Sequence, residues 1–370
     1  MTRLIALDIA ASRLLADEVR RIWDEGNAVL PLDQRMSRAV RHKLARELGA
    51  DVIVTGDERI DVGSPKEPTI TLVSGDALVI ATSGSTGRPK GVVHTHRGLR
   101  AHSVMVTERL GLTAHDHWWL CLPPAHIAGF GVLSRAMYLS SALSFADHVD
   151  EDSIARARTA GATHASLVPT LLARHSFEDW KMLLVGAAPA AALPINAVAT
   201  YGLTETCGGV VYDGLPMDDV GVRITDGRIH LRTPSIARTY RHAPLTLVDG
   251  WFDTGDLGRF VDGRLVIDGR SDDLIITGGN KVWPNLVEQR LREHPLVRDV
   301  VVRGVPDAEW GSAVCAWVVP TSQSAPPALD AVRAHVKETL AEYYAPRKLV
   351  LISQIPRSAL GKPIVSELSG

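Results

Sequence analysis

In MSRAVRHKLARELGA, apolar residues recur every four positions at Met36, Val40, Leu44 and Leu48, which predicts one buried helical stripe that stops at Gly49. DVIVTG (51–56) follows as a short buried strand, and the first eighty residues read as helices with one or two strands. From 77 to about 215, apolar runs such as ALVIAT, HWWLCLPP, THASLVPT and KMLLVGAA alternate with helical or loop segments. Apolar on both faces, they predict a sheet covered on both sides and so a mainly α/β architecture. After about 217 the texture changes. VGVRITDGRIHLRT and LGRFVDGRLVIDGR each place two alternating runs around an Asp-Gly pair, Asp226-Gly227 and Asp262-Gly263, a strong hairpin signal. A compact tail begins near Ser271. It carries a helix from Pro284, strands at DVVVRG and AVCAWVVP, a helix from about Leu329 to Tyr343 and a last strand KLVLIS, with TSQSAPP (321–327) as an internal loop. The expected organisation is a large N-terminal α/β domain, 1–271, and a small α+β C-terminal domain, 272–370.

Composition narrows the function. The 370 residues carry 40 Lys and Arg against 42 Asp and Glu, a net charge of -2, which excludes a protein that coats polyanions by bulk charge. Charged residues at 22% and hydrophobic ones at 45% exclude wholesale disorder. Cys121, Cys207 and Cys315 lie far apart with no CxxC pair, so neither a disulfide framework nor a structural zinc site is indicated. No apolar run reaches the ~18 residues of a membrane span. MTRLIALDIAASRLL holds Asp8 within its apolar stretch and reads as mature protein rather than a signal peptide. A soluble, cytoplasmic protein with neither membrane nor nucleic-acid partner is expected.

The sharpest chemical signal is ALVIATSGSTGRPKGVVHTH, 77–96. A buried strand enters a segment with Gly84, Gly87 and Gly91, the hydroxyls of Thr82, Ser83, Ser85 and Thr86, and Lys90 after a rigid proline. Glycines let backbone N–H groups close on a polyphosphate, hydroxyls add donors, and the lysine meets charge building on leaving phosphates. A Walker A loop fails because Gly91, not Ser or Thr, follows the lysine, and no GxGxxG turn is present. Further along, YGLTET (201–206) offers the flat ring of Tyr201, the hydroxyl of Thr204 and the carboxylate of Glu205, which suits a hard cation. WFDTGDLGR (251–259) sets Asp256 after a Thr-Gly turn, where two acceptor oxygens suit a ribose diol. Lys362 lies in a Gly-Lys turn near the C-terminus.

TSGSTGRPKG resembles the signature of the adenylate-forming enzymes, which include acyl- and aryl-CoA ligases, adenylation domains of peptide synthetases and firefly-type luciferases. The likeness continues in order over roughly residues 75–365. It implies an ATP- and Mg²⁺-dependent ligase, with coenzyme A as co-substrate and a mobile C-terminal domain. It also implies that Thr82, Ser83, Gly84, Ser85, Thr86, Gly87 and Lys90 hold the phosphates. Tyr201 would stack on adenine beside GAAP (Gly186, Ala187, Ala188, Pro189), Thr204 would touch the α-phosphate and Glu205 would place Mg²⁺. Asp256 becomes the ribose ligand, Arg270 in GRSDD a second nucleotide contact and Asp272 the hinge. Lys362 reaches the carboxylate and α-phosphate during adenylation, and TGGNKVWPNLVE (277–288) swings in for the thioester step. Pro363 and Asn280 depart from the family's usual residues.

The acid is narrowed by SLVPTLLARH (166–175) and LPPAHIAGFGVLSRAM (122–137). His126 matches the family histidine beside the acyl site, and Arg135 follows nine residues later. Nine residues of unbroken helix turn about 900°, half a turn out of phase, so spacing alone does not put both in one pocket; a loop at Ala128–Gly131 would. HIAGFGVLSR resembles the o-succinylbenzoate–CoA ligases of menaquinone biosynthesis, where an arginine at this spacing pairs with the substrate's second carboxylate. Only about 80 residues precede the phosphate segment, as in reduced ligases of that type. Another aryl- or fatty-acid–CoA ligase would not require Arg135, a carrier-protein-loading adenylation enzyme would act on a carrier, and a non-enzymatic nucleotide sensor would tend to lose Lys362 or Glu205. A second copy of the chain, covering a sheet edge left by the short N-terminal region, is the expected macromolecular partner.

Overall fold

The computed structural model describes residues 2–63, 70–83, 89–186, 193–356, 364 and 367–368. They fall into two compact units. One comprises residues to 223 with 230–252 and 261–265; the other comprises 224–229, 253–260 and the chain from 266.

The first unit opens with β1 (Leu4–Asp8), α1 (Arg13–Asp24), β2 (Ala28–Pro31), α2 (Arg38–Glu47), β3 (Val52–Thr55) and β4 (Glu58–Asp61). The hairpin strands β5 (Asp76–Ser83) and β6 (Pro89–Thr95) follow. Four strands before residue 62 replace the one or two expected, while β5 is the strand expected at ALVIAT. LIALD and AVLP are too short for periodicity to separate a buried strand from a helical turn. Both are buried throughout and pair in parallel, Leu4 opposite Ala28. The helical stripe near residue 40 is also narrower than its spacing implies. α2 buries Ala45 and packs Leu44 and Leu48 on the sheet, while Val40 is 49% exposed and Met36 precedes the helix.

Next come α3 (His96–Leu110), β7 (His117–Leu120), α4 (Ile127–Leu139), β8 (Ala142–Phe145), α5 (Glu151–Thr159) and β9 (His164–Leu167). α6 (Pro169–Leu172), β10 (Met182–Gly186), β11 (Ala197–Leu203), β12 (Gly208–Tyr212) and β13 (Leu215–Pro216) complete the run. α3 starts where the Thr95 hydroxyl accepts from Gly98 N at 3.1 Å and ends at left-handed Gly111. α5 starts at a reciprocal Asp150–Ser153 capping box.

Two seven-stranded sheets result. The first runs β16-β6-β5-β2-β1-β3-β4, with β16 (Thr239–Tyr240) returning late in the chain, and the second runs β13-β12-β11-β10-β9-β7-β8. α3 contacts β5 and β6 of the first sheet and β12 of the second, so the middle layer is helical. On the outer face of the first sheet Leu4, Leu30, Ile53 and Val79 pack under Ala45 and Leu48. On that of the second, Trp119, Leu167 and Leu183 pack against Ile154, Phe177 and Trp180. Strands covered on both faces are apolar throughout, as the sequence pattern requires.

β14 (Gly221–Thr225), β15 (Arg228–Arg232), β17 (Phe252–Val261) and β18 (Arg264–Arg270) form a four-stranded sheet whose residues are divided between the units. Asp226, Gly227, Asp262 and Gly263 all have φ between 48° and 78°, the conformation that two-residue hairpin loops demand. In the second unit β19 (Ile275–Thr277) pairs with β20 (Asn280–Val282). α7 (Pro284–Arg292) and α8 (Leu329–Lys337) lie with β21 (Val297–Asp307), β22 (Gly311–Pro320) and β23 (Lys348–Leu351) around a core of Val287, Leu291, Val300, Val314 and Val332. α8 stops at Lys337, six residues short of the expected Tyr343; a separate 3₁₀ turn, Glu342–Tyr344, follows.

Candidate active site

β5 and β6 are antiparallel, with Thr82 opposite Lys90 and Ser83 opposite Pro89. The phosphate segment thus begins on β5 and ends on β6, while Gly84, Ser85, Thr86 and Gly87 lie outside the described residues. The Thr82 hydroxyl donates to the Lys90 carbonyl at 3.4 Å. Lys90 is exposed, and its Nζ stands 5.5 Å from the centre of the Tyr240 ring. Tyr240 reaches this position because β16 pairs with β6, Tyr240 opposite Val92. Its hydroxyl donates to Glu205 Oε1 at 2.9 Å. Burial, then the charge of Glu205 and the bond to it, raise the phenol well above its usual range, so it stays a donor.

Glu205 sits in the 3₁₀ turn Thr204–Thr206 at the end of β11. The turn is pinned from within: the buried Thr206 hydroxyl accepts from Leu203 N at 2.8 Å and donates to the Gly208 carbonyl at 2.8 Å. It is pinned from without by Ser235, which donates to the Thr206 carbonyl at 2.8 Å, and by Ala237 N on the Glu205 carbonyl at 2.7 Å. β11 then folds back into β12, and a Cβ on Gly202 would overlap the Gly208 carbonyl oxygen. Tyr201 lies near the carboxyl end of β11, and Gly186 ends β10 in register with Thr200, so these two meet at adjacent parallel strand ends. Such ends are where open α/β sheets bind ligands. Ala187 and Ala188 lie outside the described residues.

α4 runs unbroken from Ile127 to Leu139, with His126 as its N-cap residue. No loop interrupts it at Ala128–Gly131. Gly129 is there for packing, since a Cβ would overlap the carbonyl oxygens of Leu122 and Pro123. His126 and Arg135 are therefore about 13 Å apart along the axis and on opposite sides of the helix. His126 Nε2 lies 3.0 Å from Asp33 Oδ2 and 2.9 Å from Arg35 Nη2. Asp33 follows β2 and is buried. Burial favours its neutral form, yet hydrogen bonds from His126 and Arg35 outweigh this and hold it far below the usual carboxylate range.

Arg135 is 3% exposed. Its guanidinium stacks on Trp118, 4.6 Å from the ring, and neither Nε nor Nη2 has a hydrogen-bond partner among the described residues. Burial lowers its pKa, opposed by the Tyr212 phenol and the Cys207 thiol. Three buried histidines surround this region. His94 is pushed down to about 4 by burial, with the Thr204 backbone opposing. His102 falls to about 3 by burial and then the Arg135 charge, although its Nε2–H donates to the Gly209 carbonyl at 2.9 Å. His164 falls to about 4 by burial, with Asp116 opposing and Lys181 and Arg135 adding to the fall. At neutral pH all three are uncharged. Asp116 is already paired with Lys181 at 2.6 Å, so Arg135 is a buried cation with no carboxylate partner among the described residues.

In the second unit Asp256 lies inside β17 rather than after a turn. Alternation buries Phe252, Thr254, Asp256 and Gly258 on one face, and the Asp253 carboxylate accepts from Gly255 N at 2.9 Å. Gly255 has φ +72°, and a Cβ there would crowd Arg270 Nη2. Arg270 Nη1 donates to Asp256 Oδ1 at 3.0 Å, so these two expected nucleotide contacts are paired with each other. Asp272 is exposed in the 3₁₀ turn Ser271–Asp273, and Asn280 begins β20. Lys362 and Pro363 lie outside the described residues.

Sequence reasoning missed Tyr240, Asp33, Arg35 and the three histidines. The described residues contain no group of three or more His, Cys, Asp or Glu able to hold a metal. A single carboxylate, Glu205, suits a hard cation that shares its remaining ligands with nucleotide phosphates and water. No helix among the described residues is long and apolar enough to cross a membrane.

Residues 13–271 match the AMP-binding enzyme family and residues 286–362 match the AMP-binding enzyme C-terminal domain. A probable 2-succinylbenzoate–CoA ligase of Mycobacterium tuberculosis is 38% identical over 315 residues, covering 77% of this chain and 82% of its own. A 2-succinylbenzoate–CoA ligase of Listeria monocytogenes is 29% identical over 386 residues, covering 91% and 82%. The o-succinylbenzoate CoA synthetase of Bacillus subtilis, solved in complex with the acyl-adenylate intermediate OSB-AMP, superposes with a TM-score of 0.86 at 25% identity, covering 100% of this chain and 88% of that one. With a hairpin-borne lysine, a carboxylate at a strand end and a family match across both parts of the sequence, the chain belongs to the AMP-binding enzyme family.

Proposed function

We propose that this protein is an ATP-dependent acid–thiol ligase that converts 2-succinylbenzoate to o-succinylbenzoyl-CoA, AMP and pyrophosphate, the activating step in menaquinone synthesis. The observation that carries the choice of acid is Arg135, a buried guanidinium with two unmet donors. An acid with two carboxylates exposes one to activation and must bury the other. The buried one needs a cation, and Arg135 supplies it.

A carboxylate is a poor acyl donor because oxide is a poor leaving group. Its oxygen attacks the α-phosphorus of ATP, the bond from that phosphorus to the bridging oxygen breaks, and pyrophosphate leaves. The thiol sulfur of coenzyme A then bonds to the acyl carbon, AMP departs and the thiol proton passes to solvent. Lys90, with Thr82, Ser83, Gly84, Ser85, Thr86 and Gly87, meets the phosphates; Thr204 takes the α-phosphate and Lys362 the reacting oxygens. Tyr201 stacks on adenine beside Gly186, Ala187 and Ala188, while Asp256 and Arg270 read the ribose end of the nucleotide. Glu205 would hold Mg²⁺, which would supply charge neutralisation at the phosphates. His126, held by Asp33, stands at the start of α4 on the side away from Arg135, so the second carboxylate is met by Arg135 alone.

Residues 272–370 act as a mobile lid turning about Asp272, which presents Lys362 for the first step and the 277–283 segment for the second. The enzyme works in the cytoplasm, and a second copy pairs along the exposed edge strand β4, so light scattering gives twice the chain mass. The discriminating experiment is pyrophosphate release with 2-succinylbenzoate, benzoate and a medium-chain fatty acid. A clear preference for the diacid is expected. A preference for either monocarboxylate contradicts the assignment and leaves the reaction class intact.

A further inference from the structure

We propose that Tyr240 is a positioning residue that joins the metal-holding carboxylate to the phosphate-binding lysine; this rests on the ligase reading above. Its hydroxyl donates to Glu205 Oε1 at 2.9 Å, and its ring lies 5.5 Å below Lys90 Nζ. The two catalytic groups belong to different sheets: Lys90 is on β6 of the first, and Glu205 follows β11 of the second. Tyr240 is fixed to the first sheet by its register with Val92, and it reaches across to the second through its hydroxyl.

The chemistry needs such a joint. A lone carboxylate that shares a hard cation with phosphate oxygens must point one oxygen at the metal. A donor on its other oxygen sets that orientation, as outer-shell partners of metal ligands do elsewhere. Lys90 is exposed, and without a resting place a lysine head samples many rotamers. The π face of a half-buried tyrosine keeps it over the turn that carries Glu205 until phosphate draws it away. Ser235 and Ala237, just upstream, bond the same turn through Thr206 and Glu205, so the backbone leading into β16 is held at the same place.

The test uses the full chain with Mn²⁺ as the probe ion. Free Mn²⁺ is counted by electron paramagnetic resonance during titration in the presence of ATP. Tyr240→Phe keeps the ring and removes the donor, so Mn²⁺ binding should weaken about tenfold while kcat at saturating metal stays within threefold. In a Glu205→Gln background the same change should alter Mn²⁺ binding less than twofold, because the hydroxyl acts through that carboxylate. Tyr240→Leu should in addition raise the Kd for ATP measured in EDTA several-fold, which Tyr240→Phe should not. Unchanged Mn²⁺ binding in Tyr240→Phe, or an equal loss with and without Glu205, overturns the proposal. If the unmodified chain binds no Mn²⁺–ATP, the ligase reading falls together with it.

Discussion

Replacing Arg135 with Met separates the two roles of a buried cation. In the ligand-free protein the guanidinium has lost its water, and Nε and Nη2 have found no acceptor. Each unmet buried donor costs about 1–3 kcal/mol. Stacking on Trp118 at 4.6 Å returns up to about 2 kcal/mol. The balance leaves the arginine destabilising by about 2 kcal/mol relative to an unbranched apolar side chain of similar reach. At about 2–4 °C per kcal/mol for a unit of this size, Arg135→Met should melt about 4–8 °C higher than the parent without ligand. Binding should move the other way. A carboxylate left buried without its cation loses about 3–5 kcal/mol, which is two to nearly four powers of ten in kcat/KM for 2-succinylbenzoate. Benzoate, with one carboxylate, should be almost unaffected. Scanning calorimetry and pyrophosphate release read the two halves on the same preparation. A variant that melts lower and keeps kcat/KM for the diacid within threefold would refute the reasoning, because Arg135 would then be an ordinary packing residue.

Three further outcomes are expected. His94, His102 and His164 have folded pKa values lowered to between about 3 and 4 from an ordinary 6.5. The unfolded chain therefore binds protons first as pH falls, so stability is lost as pH drops through 6.5, down to about 4 for His94 and His164 and about 3 for His102. Each group gives up about 1.4 kcal/mol per unit in that window, about 4 kcal/mol for the three between pH 7.5 and 5.5. Urea midpoints across that range should show the fall, with His102→Asn removing about a third of it; a flat profile speaks against three neutral buried rings. Gly202→Ala drives a methyl into the Gly208 carbonyl and should cost about 3 kcal/mol in urea melts, since backbone faces backbone on both sides; a loss under 1 kcal/mol would show that β12 yields. Asp272→Pro should spare adenylate formation, followed by pyrophosphate exchange, and cut thioester formation at least tenfold; equal loss of both counts against a hinge at that residue.

The family's motifs were legible where each sits in one stretch of sequence. TSGSTGRPKG, YGLTET and WFDTGDLGR each announce themselves by residue type and order, and the Asp-Gly hairpins by turn chemistry. What escaped depends on contacts between distant segments. Tyr240 meets Glu205 across 35 positions and owes its place to a two-residue strand, too short to leave any periodic trace. Asp33 reaches His126 across 93 positions, from the end of a buried strand that a four-residue apolar run cannot declare. Two glycines in α4 read as a loop, although Gly129 is small because a backbone crosses it and the helix continues. Val40 satisfied the helical spacing yet faces solvent, because the stripe that meets the sheet is one turn shorter.

The central claim is that a carboxylate oxygen of 2-succinylbenzoate becomes bonded to the α-phosphorus of ATP within this protein. Substrate carrying ¹⁸O in both carboxyl groups tests it in one turnover experiment with coenzyme A present. Mass spectrometry of the nucleotide product should find one ¹⁸O atom in each AMP formed and none in pyrophosphate. AMP without label, or label in the pyrophosphate, would contradict the account.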